Sequence, residues 1–193
     1  GIFGLADLVG IDLMPHILAS FKTALDADDA FHTYGSGPEL VNKMIADGYT
    51  GRKGKGGFYR LNTEGGKKVK EVIDLQTGEY SPARRPKPEA LNAFKKGGLQ
   101  AMLDHDSAEA KYARSVLLAT LAYAASLVPE IADDGESVDR AIRLGYNWKI
   151  GPFELIDKLG PAWLTQALAA DGLAVPPLLA ALGDKSFYRV RDG

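Results

Sequence analysis

Apolar positions recur at helical spacing through most of this chain, and one apolar pattern occurs twice. Gly1-Ile2-Phe3-Gly4-Leu5-Ala6-Asp7-Leu8-Val9-Gly10 aligns without a gap to Gly151-Pro152-Phe153-Glu154-Leu155-Ile156-Asp157-Lys158-Leu159-Gly160, and five of the ten positions are identical. Phe, Leu and their apolar neighbours lie three to four apart, so they share one helix face. Pro152 suits a first helical turn, where its missing N–H costs nothing. The closing glycine suits a left-handed residue just past a helix. A second echo supports the first: Gly57-Phe58-Tyr59-Arg60-Leu61 returns as Ser186-Phe187-Tyr188-Arg189-Val190. Phe3 and Phe58 are 55 residues apart, Phe153 and Phe187 only 34, so the second copy is shorter by about 21 residues. Between these markers Pro38-Glu39-Leu40-Val41 answers Pro176-Pro177-Leu178-Leu179. The pattern is that of one helical unit used twice.

The remaining pattern fills in the elements. Asp12–Asp26 carries Leu13, Ile17, Leu18, Phe21 and Leu25 on one face, which predicts an amphipathic helix with Asp12 as N-cap. The polar, Gly-rich stretch Asp26–Gly37 predicts a loop, and Pro38–Asp47 a short helix. Phe58–Leu61 and Val69–Leu75 alternate as short strands, and Gln76-Thr77-Gly78 turns the latter back to Glu79-Tyr80 as a small antiparallel hairpin. Ser81–Pro88 is rich in Pro and Arg and serves as linker. Helices are expected at Glu89–Lys96, stopped by Gly97-Gly98, and at Ala108–Val128, whose dense apolar content predicts burial on most sides. Ser137 with Asp139 starts another helix that Gly145 ends. Pro161–Ala170, Pro176–Leu182 and a short terminal strand follow the repeated element. The fold class is mainly α with a small β-hairpin. It divides as residues 1–80 (first helical unit with hairpin), 81–107 (linker and short helix) and 108–193 (second helical unit). The second copy is preceded by a helix and a Gly-Tyr-Asn-Trp turn, whereas the first begins at Gly1. The comparison predicts that the chain starts partway through a unit of a longer protein.

Composition narrows the function classes. A net charge of -2 and a pI near 6.0 argue against nucleic-acid binding. There are no cysteines, which excludes disulfides and thiolate chemistry and is compatible with an intracellular, cytoplasmic setting. The uncharged run Ser115–Pro129 is too short for a membrane span of roughly 20 residues. A search for catalysis returns little. His16, His32 and His105 have no carboxylate in an acid/base motif, and no cluster has metal-ligand spacing, so no catalytic residue and no metal site is assigned. Asp7 and Asp157 recur at one helix position, which points to a shared structural role such as bonding a neighbouring turn. Thr50–Gly57 packs four glycines and three cations into eight residues. It is either an anion-contacting loop or a solvated turn entering a strand.

The repeated element with its preceding Ser137–Trp148 segment, together with Gly51–Arg60, resembles the C-terminal domain of the 3-hydroxyacyl-CoA dehydrogenases. The tandem arrangement is similar to that of multifunctional fatty-acid oxidation proteins. The resemblance implies a duplicated helical bundle of the 6-phosphogluconate dehydrogenase C-terminal kind. It also implies NAD as cofactor, a 3-hydroxyacyl-CoA as substrate, an upstream Rossmann domain as partner and a homo-oligomer. In that family the catalytic His–Glu pair lies on the Rossmann domain, so the chain alone is expected to be inactive. A family Lys just before the Gly-Phe-Tyr triplet reaches the cofactor across the cleft, and Lys53 occupies that position. The second copy has Gly183-Asp184-Lys185-Ser186 there and is expected to serve packing. Where the family has an Asn-Arg pair, it has Asp139-Arg140. The alternative is a non-catalytic helical assembly or dimerisation module.

Overall fold

Glycines bracket the first helix, α1 (Ile2–Val9), and at Gly10 the chain turns with φ 113° into one turn of 3₁₀ helix at Ile11–Leu13. The computed structural model describes residues 1–34 and 37–189. From the 3₁₀ turn the chain runs into α2 (Met14–Ala24), whose Pro15 occupies the tolerant first turn. Asp12 caps nothing here, because α2 begins beyond it without a side-chain cap. Within the expected loop lies a single helical turn, α3 (Phe31–Tyr34), nucleated where the Asp29 carboxylate accepts the Phe31 N–H at 2.7 Å. α4 (Glu39–Ala46) follows Pro38 and buries Val41 and Met44.

Among the described residues there are three strands, the third at the expected return to Glu79-Tyr80. β1 (Tyr59–Asn62), β2 (Val69–Ile73) and β3 (Tyr80–Pro82) form an antiparallel meander in the order β1-β2-β3, with Tyr59 opposite Val72 and Ile73 opposite Tyr80. The three are fastened on one face by Arg60, which donates to Glu71 at 2.6 Å while its guanidinium lies 4.0 Å from the Tyr80 ring centroid. Hydrogen bonds from Asn62 and Arg60 hold the Glu71 carboxyl below its usual pKa. Ile11, Val41, Met44, Phe58 and Ile73 form the core of this unit, which spans Gly1–Pro86.

The second unit begins at Lys87 and is all helix among its described residues. The helix that opens α5 (Ala90–Leu103) ends at Gly97-Gly98, as expected: Gly98, at φ 75°, ψ -163°, is not helical, and a second short helical segment follows the kink. α6 (Ala108–Ser126) is capped by Ser107, but it is buried along one stripe only: Ala110, Leu118, Leu121 and Ala125. It packs on α5, α8, α9 and α10 along that stripe, and Tyr112 and Val116 on other faces are exposed. α7 (Gly135–Tyr146) starts earlier than Ser137, because the Asp134 carboxylate accepts the Ser137 N–H at 2.8 Å and so takes the N-cap role. It ends at Asn147, in the left-handed conformation. α8 (Pro152–Leu159), α9 (Pro161–Ala170) and α10 (Pro177–Leu182) complete the unit. No strand forms at Phe187–Arg189, and Val190 lies outside the described residues. Phe153, Ile156, Leu159, Leu164 and Leu168 are fully buried in its core. Among the described residues no single helix is long and apolar enough to cross a membrane.

Candidate functional site

Asp7, on α1, is 3% exposed and its carboxylate accepts two backbone N–H groups from the end of the Gly/Lys loop: Phe58 at 2.7 Å and Tyr59 at 2.9 Å. Its carbonyl accepts a third, from Arg52, at 2.8 Å. This clasp explains two of the four glycines. A Cβ on Gly57 would fall 2.1 Å from the Asp7 carboxylate, and one on Gly51, at φ 104°, 2.4 Å from the Asp7 carbonyl oxygen. Gly54 and Gly56 are crowded from nearer along the chain, the one by Thr50 and Gly48 and the other by Arg60.

Within the loop, Gly51 N–H goes to Gly56, Arg52 to Asp7, Gly54 to Gly51, Lys55 to Gly48 and Gly57 to Tyr59. A backbone nest for an anion needs free N–H groups, and these five are already occupied. What remains outward is cationic side chains: Arg52, Lys53 and Lys55 are all exposed. Lys55 Nζ donates to the Asp47 carbonyl at 2.9 Å. Lys53 Nζ donates to Asp12 Oδ2 at 2.8 Å and lies 2.8 Å from Oδ1, where the geometry is that of an ion pair and Oδ1 accepts no hydrogen bond. The Lys53 ammonium holds the Asp12 carboxyl below its usual pKa. Nothing local marks Asp12 as part of this site: it lies 41 residues from Lys53 along the chain.

The second unit repeats the clasp. Asp157 accepts Phe187 N–H and Tyr188 N–H, both at 2.8 Å, and the ring pair Phe153–Phe187, at 4.8 Å between centroids, matches Phe3–Phe58 at 4.6 Å. The recurring aspartate has the structural role that its repetition implied. A further carboxylate stands one helix earlier. Asp139, on α7 and fully buried, accepts Phe153 N–H at 2.7 Å, Glu154 N–H at 2.8 Å and the Tyr188 hydroxyl at 2.8 Å. It is thus the side-chain cap of α8, and Glu154 adds a reciprocal bond to the Gly151 N–H at 2.7 Å. Gly151 is required at that point, since a Cβ there would lie 2.4 Å from Asp139. Burial and the Asp139 carboxylate together raise the Tyr188 phenol far above its usual pKa.

The histidines do no comparable work. His32 contacts the Asp26 carbonyl at 2.9 Å and His105 Nδ1 accepts the Ser107 N–H at 3.2 Å, both local loop contacts, while His16 is exposed on α2. Among the described residues no three His, Asp or Glu side chains are grouped to hold a metal ion.

The family described as 3-hydroxyacyl-CoA dehydrogenase, C-terminal domain, matches residues 1–61 and 112–187, one stretch in each unit. The chain belongs to this family. A "Putative fatty acid oxidation complex trifunctional enzyme" of Rickettsia felis is 38% identical over 98% of the chain and 26% of its own length. The protein of the same description from Rickettsia prowazekii is 36% identical over the same shares. A "Probable 3-hydroxyacyl-CoA dehydrogenase" of Bacillus subtilis is 29% identical over 99% of the chain and 24% of its own length. The chain spans about a quarter of the length of the curated relatives it matches. In this 3-hydroxyacyl-CoA dehydrogenase domain, the clasp is common to both units and the exposed Lys53–Asp12 pair belongs to the first unit alone.

Proposed function

We propose that this chain is the substrate-side helical part of an NAD-dependent 3-hydroxyacyl-CoA dehydrogenase of fatty-acid β-oxidation, inactive without a dinucleotide-binding domain. The observation that carries this reading is the family match, with one matched stretch in each unit. Oxidation of a 3-hydroxyacyl-CoA needs a base for the hydroxyl proton and a hydride acceptor held close to C3, with water kept out. NAD, when bound, supplies the hydride acceptor. This chain contributes one wall of the cleft and, at Lys53, a fixed cation for an anionic group of cofactor or substrate. An exposed ammonium fits a phosphate by charge and by its three donors.

The test compares Lys53→Ala with wild type in the full-length dehydrogenase that carries this segment, following NADH formation from a 3-hydroxyacyl-CoA. Losing one charge-assisted contact made equally in ground and transition states raises KM by about 5- to 30-fold with kcat little changed. The 193-residue chain alone forms no NADH in this reading. Unchanged KM for both NAD and acyl-CoA in the variant favours a second reading, an assembly or dimerisation module. A specific observation speaks for that one: Ile2, Leu5, Leu8 and Val9 expose apolar surface along α1, and patches of this kind mark interaction sites.

A further inference from the structure

We propose that Asp12 is a positioning residue for Lys53: it directs the ammonium toward a phosphate group of the bound cofactor or substrate. The proposal rests on the reading of Lys53 given above and adds a residue to it.

Three features build the pair. Both side chains leave anchored backbone, since Ile11 N–H donates to Thr50 O at 3.1 Å and Arg52 N–H to Asp7 O at 2.8 Å, so the residues next to Asp12 and Lys53 are bonded across the two segments. The pair also lies against a glycine. A Cβ on Gly10 would come within 2.8 Å of Asp12 Oδ1, 2.9 Å of Lys53 Nζ and 3.0 Å of Lys53 Cε, so Gly10 leaves open the space that the ion pair fills. Finally, the ammonium remains accessible. The Lys53 side chain is 57% exposed and that of Asp12 39%, so the carboxylate takes one side of the cation and leaves the other to solvent.

An exposed ion pair contributes little to folding, and the second unit shows that the module does without it. Gly160 stands where Gly10 does, but Ala162 replaces Asp12, and Leu182 is the residue five before Phe187 as Lys53 is five before Phe58. Both partners are missing there together, while the Asp157 clasp onto Phe187 and Tyr188 is complete. Among the described residues the clasp persists where the pair, its loop and the strands are gone, so the pair is not needed to hold the clasp, and a role toward a ligand accounts for it. A lone lysine has a flexible four-carbon stem and samples many rotamers. A carboxylate at one side removes most of that freedom before the ligand arrives, which is the general route by which preorganisation gains affinity.

The test is a double-mutant cycle in the full-length dehydrogenase, with KM measured separately for NAD and for a 3-hydroxyacyl-CoA to show which phosphate Lys53 meets. Asp12→Asn is expected to raise the same KM as Lys53→Ala, by about 3- to 10-fold, with kcat within about twofold. It is expected to add nothing in the Lys53→Ala background, and Asp12→Glu to restore most of the loss. Circular dichroism on each variant checks that the fold is kept. A KM that is unchanged or lowered in Asp12→Asn, or one that adds to the Lys53→Ala effect, overturns the positioning role and leaves the reading of Lys53 intact. Should Lys53→Ala itself leave both KM values unchanged, the reading of Lys53 fails. Side-chain NMR order of Lys53 in the 193-residue chain then decides the positioning: a fall in Asp12→Asn supports it, and equal order in the two forms refutes it.

Discussion

Helices α1 and α8 share a sequence pattern and the same aspartate clasp, yet they differ in what surrounds them. On α8, Phe153 and Ile156 are 0% exposed and Leu159 1%; at the matching places on α1, Phe3 is 37% exposed and Val9 55%. The difference lies in the neighbours. α8 is packed by α6, α7 and α9, whereas within its own unit α1 meets the 3₁₀ turn and β1. An apolar stripe specifies which face of a helix seeks burial, and the packing partner determines whether burial is achieved. A helix pair such as α6–α7 placed over α1 would give it the cover that α8 has.

Phe153→Ala is the strongest way to break this comparison. It removes a fully buried ring and is expected to cost about 3–5 kcal/mol, against about 1–2 kcal/mol for Phe3→Ala, read as the shift in thermal or denaturant midpoint. Equal losses would mean that exposure does not separate the helices energetically. Asp139→Ala comes next, at about 2–4 kcal/mol, because the Phe153 and Glu154 N–H groups and the Tyr188 hydroxyl lose their acceptor in a buried place. Asp7→Asn and Asp157→Asn sharpen the likeness. Each turns an acceptor of two N–H groups into an amide with a single acceptor oxygen, and both should lose about 1–2 kcal/mol, within a few tenths of each other. A loss confined to one copy would make the clasp a feature of that copy alone.

Alkaline titration gives the smallest effect. Burial pushes the Tyr80 phenol up to about 12, while its hydroxyl donates to the Gly57 carbonyl at 2.5 Å. A folded-state pKa above the unfolded value means that this stabilisation is complete below pH 10 and is lost as the pH rises from 10 toward 12. It amounts to about 1 kcal/mol at most once solvent screening is allowed for. Ultraviolet titration should show Tyr80 ionising late, and Tyr188, beside the Asp139 carboxylate, later still.

Much of this was legible along the chain. The paired motifs located α1 and α8, and the repeated Asp7 and Asp157 announced a structural bond because a one-off catalytic group has no reason to recur. What escaped depends on distance or on neighbours. Ser137 has the look of an N-cap, but Asp134 three residues before it takes the role with an extended backbone at φ -152°. The uniform apolar content of α6 could not show that only one stripe finds a partner. The glycines of the Lys53 loop left open a phosphate nest or a solvated turn, and the cause of two of them, Gly51 and Gly57, lies far away on α1. Asp12 was hidden for the same reason, although its replacement by Ala162 in the second copy was a visible cue.

The clasp has a consequence for how the copies could diverge. In the first unit it joins residues 51 apart, and in the second 30. The entropy of closing a loop grows only with the logarithm of its length, so the longer closure costs about 0.5 kcal/mol more. A carboxylate that fastens two ends of a segment therefore leaves the chain between them almost free to lengthen. Evolution could place strands, cations and a ligand-facing turn in one such interval and strip them from the other, while the fastening stayed the same.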